Sequence, residues 1–202
     1  MEYYHDLVTE KSWRELKYLS RSLNFVLIGG WAVYLYTRQL KSKDIDIIVD
    51  FNQLPVLEKN YALSKNDRLK KYEAVKEEVQ IDVYLPHYSR LGLPVEDLLS
   101  RSWGLEGFKV LDVNYLAVLK IFTLGQRGRS PKGGKDFLDI ISLIISMKVS
   151  LPTVRKIVSE YRLSSESGFF REMLSERDRL LELNLNPHQY ARVKKQILAK
   201  LF

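Results

Sequence analysis

Residues 26–50 read VLIGGWAVYLYTRQLKSKDIDIIVD. An apolar run at 25–28 predicts a short strand. It ends in Gly29-Gly30, a pair that permits a tight turn with exposed backbone. Residues 31–40 predict a helix and residues 45–49 a second strand, IDIIV. Alternate residues of a strand share a face, so Asp44 and Asp46 point one way while Ile45, Ile47 and Val49 point the other. Neighbouring like charges on one face repel unless a cation lies between them, and a divalent ion meets that need.

A second stretch repeats the pattern. In EVQIDVYLP (78–86), Val79, Ile81, Val83 and Leu85 make one apolar face and Asp82 lies on the other. If this strand lies beside 45–49, Asp82 joins Asp44 and Asp46. Three converging carboxylates can hold two Mg2+ ions about 3.5–4 Å apart, the geometry used for in-line displacement at phosphorus. Asp82 is then placed to take a proton from an acceptor hydroxyl. Gly29 and Gly30 add a helix N-terminus approached without a Cβ, where free N–H groups bind phosphate. Ser42 and Lys43 stand immediately before the carboxylates and either meet phosphate or form an ordinary turn.

Composition narrows the classes. The chain has 202 residues, 46% hydrophobic and 28% charged, ordinary values for a folded protein. Cysteine is absent, which excludes disulfides and thiolate chemistry. His5, His87 and His188 show no ligand spacing, so a metal should be oxygen-ligated. The N-terminus lacks the apolar core of a signal peptide, and FLDIISLIISM is too short to span a membrane, so the expected location is cytoplasmic. Net charge is +7. Arg127, Arg129, Lys132 and Lys135 crowd residues 125–135, and Arg192, Lys194, Lys195 and Lys200 the tail, both without an acid. Local basic excess suits a polyanion such as a nucleotide or RNA, or serves solubility alone.

The remaining chain predicts a helix over 10–22 capped by Thr9 or Ser12, a helix over 53–63 and a basic connection at 64–71. Two antiparallel strands, 72–76 and 79–85, follow. A short helix at 94–100 and a strand at 108–113 lead to a helix at 115–127 capped by Asn114. After a loop at 125–134, helices are expected at 135–147, 152–162, 166–183 and 187–201. Strands before residue 113 and helices after it give the α+β class: a mixed sheet flanked by helices at 1–113, then a helical bundle at 114–202 packed on that core. Lys120, Thr123 and Arg127 form one polar stripe; Asp136, Asp139 and Ser142 form another. These stripes should meet the carboxylate site or each other, and a buried Lys–Asp pair that only fixes helix register would look the same.

The stretch IGGWAVYLYTRQLKSKDIDIIV, with the later Asp82, resembles the DNA polymerase beta-like nucleotidyltransferase superfamily. The resemblance covers residues 25–85 and implies a two-metal, Mg2+-dependent transfer. A nucleoside triphosphate such as ATP would lose pyrophosphate and pass its nucleoside monophosphate to a hydroxyl. Lys120, Arg127 and KDFLD (135–139) are similar to the minimal nucleotidyltransferases that include abortive-infection type IV toxins. That likeness implies that Lys120 contacts triphosphate, that Asp136 assists catalysis and that Arg127 belongs to the nucleotide site. The expected acceptor is RNA, such as a tRNA 3′ end, and a toxin role with an antitoxin protein partner is open. Trp31 departs from the small hydroxyl residue of many such toxins. Gly-Gly-Trp-Ala also looks like small-molecule adenylyltransferases that modify antibiotics, which keeps that acceptor class as the alternative, beside a non-catalytic nucleotide- or RNA-binding module.

Overall fold

The computed structural model describes residues 2–202, with side chains from Leu7 onward; His5 lies outside the described side chains. The chain divides into two compact units, Met1–Asp112 and Val113–Phe202.

The first unit is built on a seven-stranded mixed sheet of order β3-β4-β5-β2-β1-β7-β6. Its centre comes from the two decisive stretches. Strand β1 (Val26–Ile28) runs antiparallel to β2 (Ile45–Ile48), and β2 runs parallel to β5 (Val79–Tyr84). Ile45, Ile47, Ile81 and Val83 are fully buried, as their alternation requires. Strand β4 (Lys71–Lys76) returns on β5 through Glu77, whose φ of 53° makes the tight turn. The other edge is a hairpin of β6 (Ser102–Leu105) and β7 (Phe108–Leu111). Glu106 and Gly107 both have positive φ there, as a two-residue turn matching strand twist demands. Helix α2 (Gly29–Thr37) packs on β1 and β2, α1 (Glu2–Ser22) packs on β5, and α3 (Leu54–Asn60) and α4 (Val95–Ser100) complete the unit.

Several sequence expectations are corrected. Residues 64–71 are not a connection: β3 (Ala62–Asn66) pairs with β4 there. As an edge strand it is largely exposed and has no apolar alternation to announce it. Strand β6 was not expected, for the same reason. Thr9 and Ser12 do not cap α1, which begins earlier. Both are buried inside it, and the Ser12 Oγ accepts a hydrogen bond from the Trp31 indole N–H at 2.8 Å.

The second unit is helical: α5 (Val113–Arg127), α6 (Pro131–Ile145), α7 (Leu151–Glu160), α8 (Ser164–Glu176) and α9 (Pro187–Leu201). Asn114 does not cap α5. It lies in the first turn, and its side chain accepts from the Ser150 N–H at 2.8 Å. The Gly-rich loop is shorter than expected, because α6 starts at Pro131 with Ser130 as its N-cap. A Cβ on Gly133 would fall 2.0 Å from the Gly128 carbonyl oxygen, so this glycine serves close packing of the turn. The single helix expected over 166–183 is α8 and then a 3-10 turn at Leu181–Leu183. Asn186 and Gln189 form a capping box that starts α9. No helix among the described residues is long and apolar enough to cross a membrane.

Candidate active site

Sheet register puts Asp46 and Asp82 directly opposite each other on the parallel pair β2–β5, with Ile28 opposite Asp46 on the other side. Both aspartates are half-buried while their strand neighbours are fully buried, as expected for the polar face of a half-covered sheet. Gly29 follows Ile28 with φ +65°, and a Cβ built on it would lie 2.0 Å from Asp46 Oδ2. Glycine is therefore required twice at this position: for the left-handed backbone and for the space that the Asp46 carboxylate fills. Gly30 is buried, not exposed as the turn reading expected. Helix α2 starts here without a side-chain cap and with no acid in its first turn. Its N-terminal end thus presents its positive dipole to the Asp46 carboxylate, the acid packed against Gly29.

Asp44 lies in the bend ahead of β2, and the Ser42 Oγ donates to its backbone carbonyl at 3.1 Å. Ser42 is buried and shapes that bend; Lys43 is half-buried. Trp31, which left the substrate open in the sequence, is a core residue at 1% exposure. Its indole fastens α2 to α1 through Ser12.

The sequence reading missed Lys71 and Glu73. Glu73 on β4 stands opposite Asp82, so Asp46, Asp82 and Glu73 form one row across three strands. The Lys71 ammonium, buried beneath that row, lies 2.6 Å from Asp82 Oδ2 and 3.0 Å from Glu73 Oε1. Gln80 donates to Asp82 Oδ1 at 3.0 Å. Desolvation alone would lower the Lys71 pKa; its pairing with Asp82, then Glu73, outweighs that and raises it. The signal was present in the sequence. A turn at 77–78 fixes the hairpin register, and KYEAVK then puts Lys71 and Glu73 on the Asp82 face.

In the second unit the two polar stripes meet each other. Lys120 Nζ donates to Asp136 Oδ1 at 2.9 Å and lies 2.7 Å from Asp139 Oδ2. Arg127 reaches Asp136 Oδ2 at 2.7 Å from a partly exposed position. Asp139 is fully buried. Its Oδ2 is paired with the Lys120 ammonium, and its Oδ1 has no hydrogen-bond partner among the described residues. Desolvation would lower the Lys120 pKa, but the charges of Asp139 and Asp136 outweigh it, so the ammonium is held charged. Arg129, counted with the basic loop, is engaged at 2.5 and 2.6 Å by Glu172 and Glu176 of α8.

The donor chemistry of the sheet site fits a hard divalent cation. Two aspartates at one register level offer oxygen alone, and the Gly29 cradle keeps one of them in place. Among the described residues no three His, Asp or Glu side chains are gathered closely enough to hold a metal ion.

No family model matches the sequence, and no curated protein matches it. In fold the chain is similar to the crystal structure of JHP933 from Helicobacter pylori, with TM-score 0.51 and 15% identity over 96% of this chain and 92% of that one. Also matched are an antigenic nucleotidyltransferase-like protein from Paracoccidioides brasiliensis (TM-score 0.48, 15% identity, 94% and 93% coverage) and the Megavirus polyadenylate synthase. The latter has TM-score 0.48 and 12% identity over 72% of this chain, which spans 32% of that protein. At such identities the likeness is one of fold.

Proposed function

We propose that the chain is a nucleotidyltransferase that moves a nucleoside monophosphate from a nucleoside triphosphate to a hydroxyl on RNA, such as a tRNA 3′ end. One observation carries this reading: Asp46 lies at the start of α2, with Gly29 reduced to a hydrogen where it needs room, and Asp82 stands opposite it on the neighbouring strand. Carboxylates facing each other beside a phosphate-binding helix end suit transfer at phosphorus. Mg2+ held by Asp46 and Asp82 would neutralise triphosphate charge and acidify the acceptor hydroxyl, and Asp44 would join them by moving in from the preceding bend. Asp82 is the base in this reading, receiving the hydroxyl proton, while Lys71 and Gln80 keep its carboxylate oriented. The backbone N–H groups after Gly29, with Lys43, bind the triphosphate.

In the same proposal Asp136 holds Lys120 and Arg127, and Arg127, the exposed member, meets phosphate. The basic excess of the whole chain supports an anionic acceptor. The toxin role predicts that induced expression arrests growth of a host cell and that Asp46→Ala restores it; an antitoxin would be a second protein that restores growth with Asp46 intact.

The test is incubation with labelled nucleotides, Mg2+ and total RNA. Label in RNA, lost in Asp46→Ala and Asp82→Ala, supports the proposal. Label entering only a small alcohol or sugar sinks the RNA acceptor. Pyrophosphate release unchanged in Asp46→Ala sinks the catalytic reading.

A further inference from the structure

A pocket of about 390 Å³ opens between α1 and α2, beside the loop that leads to Asp44. Its wall is aromatic. Trp13 and Tyr34 are both half-buried and touch edge to face with centroids 6.0 Å apart, over the buried Trp31. Trp13 lies 4.9 Å from Trp31 and 5.6 Å from Phe108, so its ring is held from behind by packing. The rim is charged: Arg14 and Lys41 are exposed cations and Glu10 an exposed acid.

Each part selects an occupant. Fixed aromatic faces stack planar rings, and a pocket of this volume suits one base with its sugar. Two cations on the rim suit phosphate. A single carboxylate accepts a hydrogen bond from an exocyclic amine, which adenine, cytosine and guanine have and uracil lacks. A purely apolar ligand would leave three charges without a purpose.

We propose that this pocket is a second nucleotide site. A nucleobase stacks on the Trp13 ring and meets Tyr34 edge to face, Glu10 accepts from its amine, and Arg14 and Lys41 hold its phosphate. Lys41 precedes Asp44 by three residues and Trp31 follows Gly29 by two, so the pocket borders both chain segments of the catalytic centre. Assigning the occupant as the terminal nucleotide of the acceptor strand rests on the transfer reading above; nucleotide binding in the pocket does not.

The test uses intrinsic fluorescence, because two of the three tryptophans border the pocket. The 202-residue chain is titrated in chelator with AMP, CMP, UMP, adenosine and a short oligoribonucleotide ending in adenosine. Saturable quenching by AMP and CMP is expected, with UMP at least fivefold weaker. Tyr34→Ala should weaken AMP at least tenfold. Arg14→Ala/Lys41→Ala, at exposed positions that leave the fold intact, should reduce AMP to the affinity of adenosine. Glu10→Gln should erase the preference for CMP over UMP. Oligonucleotide binding at least as tight as AMP assigns the site to the acceptor strand; AMP binding without it assigns a free nucleotide. Absence of saturable quenching, or AMP affinity unchanged in both Tyr34→Ala and Arg14→Ala/Lys41→Ala, overturns the proposal. Since the titration needs neither metal nor turnover, quenching in a protein that transfers nothing removes the function proposed above and leaves the pocket; transfer without quenching does the reverse.

Discussion

At the scale of single residues, Gly29 and Lys71 are the most informative. A methyl group at position 29 meets the Asp46 carboxylate at 2.0 Å and strains a left-handed backbone at φ +65°. Gly29→Ala should cost about 1–2 kcal/mol of stability from the backbone alone. It should also lower transfer by at least about 100-fold through displacement of Asp46, since a misplacement near 1 Å has that effect on catalysis. Thermal unfolding and initial rates on the same preparation separate the two. Lys71 supplies the positive charge between Asp82 and Glu73. Lys71→Met leaves those carboxylates uncompensated. Divalent-ion binding, read by calorimetry without nucleotide, should tighten by about tenfold while turnover falls, because Asp82 loses its fixed partner. Weaker ion binding in this variant would show that Lys71 supports the metal site only through the fold.

At the scale of elements, the α5–α6 pair is joined by charge within an otherwise apolar contact. Lys120→Met strands the buried Asp139 and leaves Asp136 to Arg127 alone, and should cost about 3–5 kcal/mol in chemical denaturation. Adding Asp139→Asn should recover part of the loss. The pH dependence has a definite sign. The folded Lys120 pKa is raised, so its contribution is complete below the ordinary lysine range and is lost only as pH climbs through the folded value. Stability measured between about pH 6 and 9 should show no decline from this group. Elements also show where the sequence was legible. Strands β2 and β5 announced themselves because one face of each is buried, which forces alternation. Strands β3 and β6 are edges exposed on both faces, where no such pressure acts. Thr9, Ser12 and Asn114 look like caps locally, but tertiary structure uses them: two are buried and the third accepts from the N–H of Ser150, the N-cap of α7. Of the site, the aspartates and Gly29 could be read from the chain. Lys71 and Glu73 required hairpin register, and Trp31 acquired its role only from the hydroxyl that α1 presents to it.

For the molecule as a whole, the net charge of +7 bears on association more than on fold. If RNA is the acceptor, the logarithm of its affinity should fall linearly with that of salt concentration, by about 0.7 per phosphate neutralised on a single strand. Arg192→Ala/Lys195→Ala, on the exposed side of α9, should flatten that slope without altering thermal stability. Lys194 is a poorer choice for the same experiment. It caps the end of α8 by donating to the Ser175 and Arg177 carbonyls at 2.9 and 3.1 Å, so its loss mixes charge with structure.

The contact between Gly29 and Asp46 also constrains how such a site can decay in descendants of this chain. While the aspartate remains, any β-carbon at position 29 collides with it. Alanine at 46 removes the contacts with Oδ2 and Cγ but leaves its own β-carbon 2.6 Å from one added at 29. Only glycine at 46 clears the space, and asparagine, which tolerates a left-handed backbone, then becomes acceptable at 29. The two losses are therefore ordered in time, carboxylate first and glycine second. A descendant with a side chain at 29 should already have given up the chemistry, whereas one that keeps the glycine but lacks the aspartate is an early casualty.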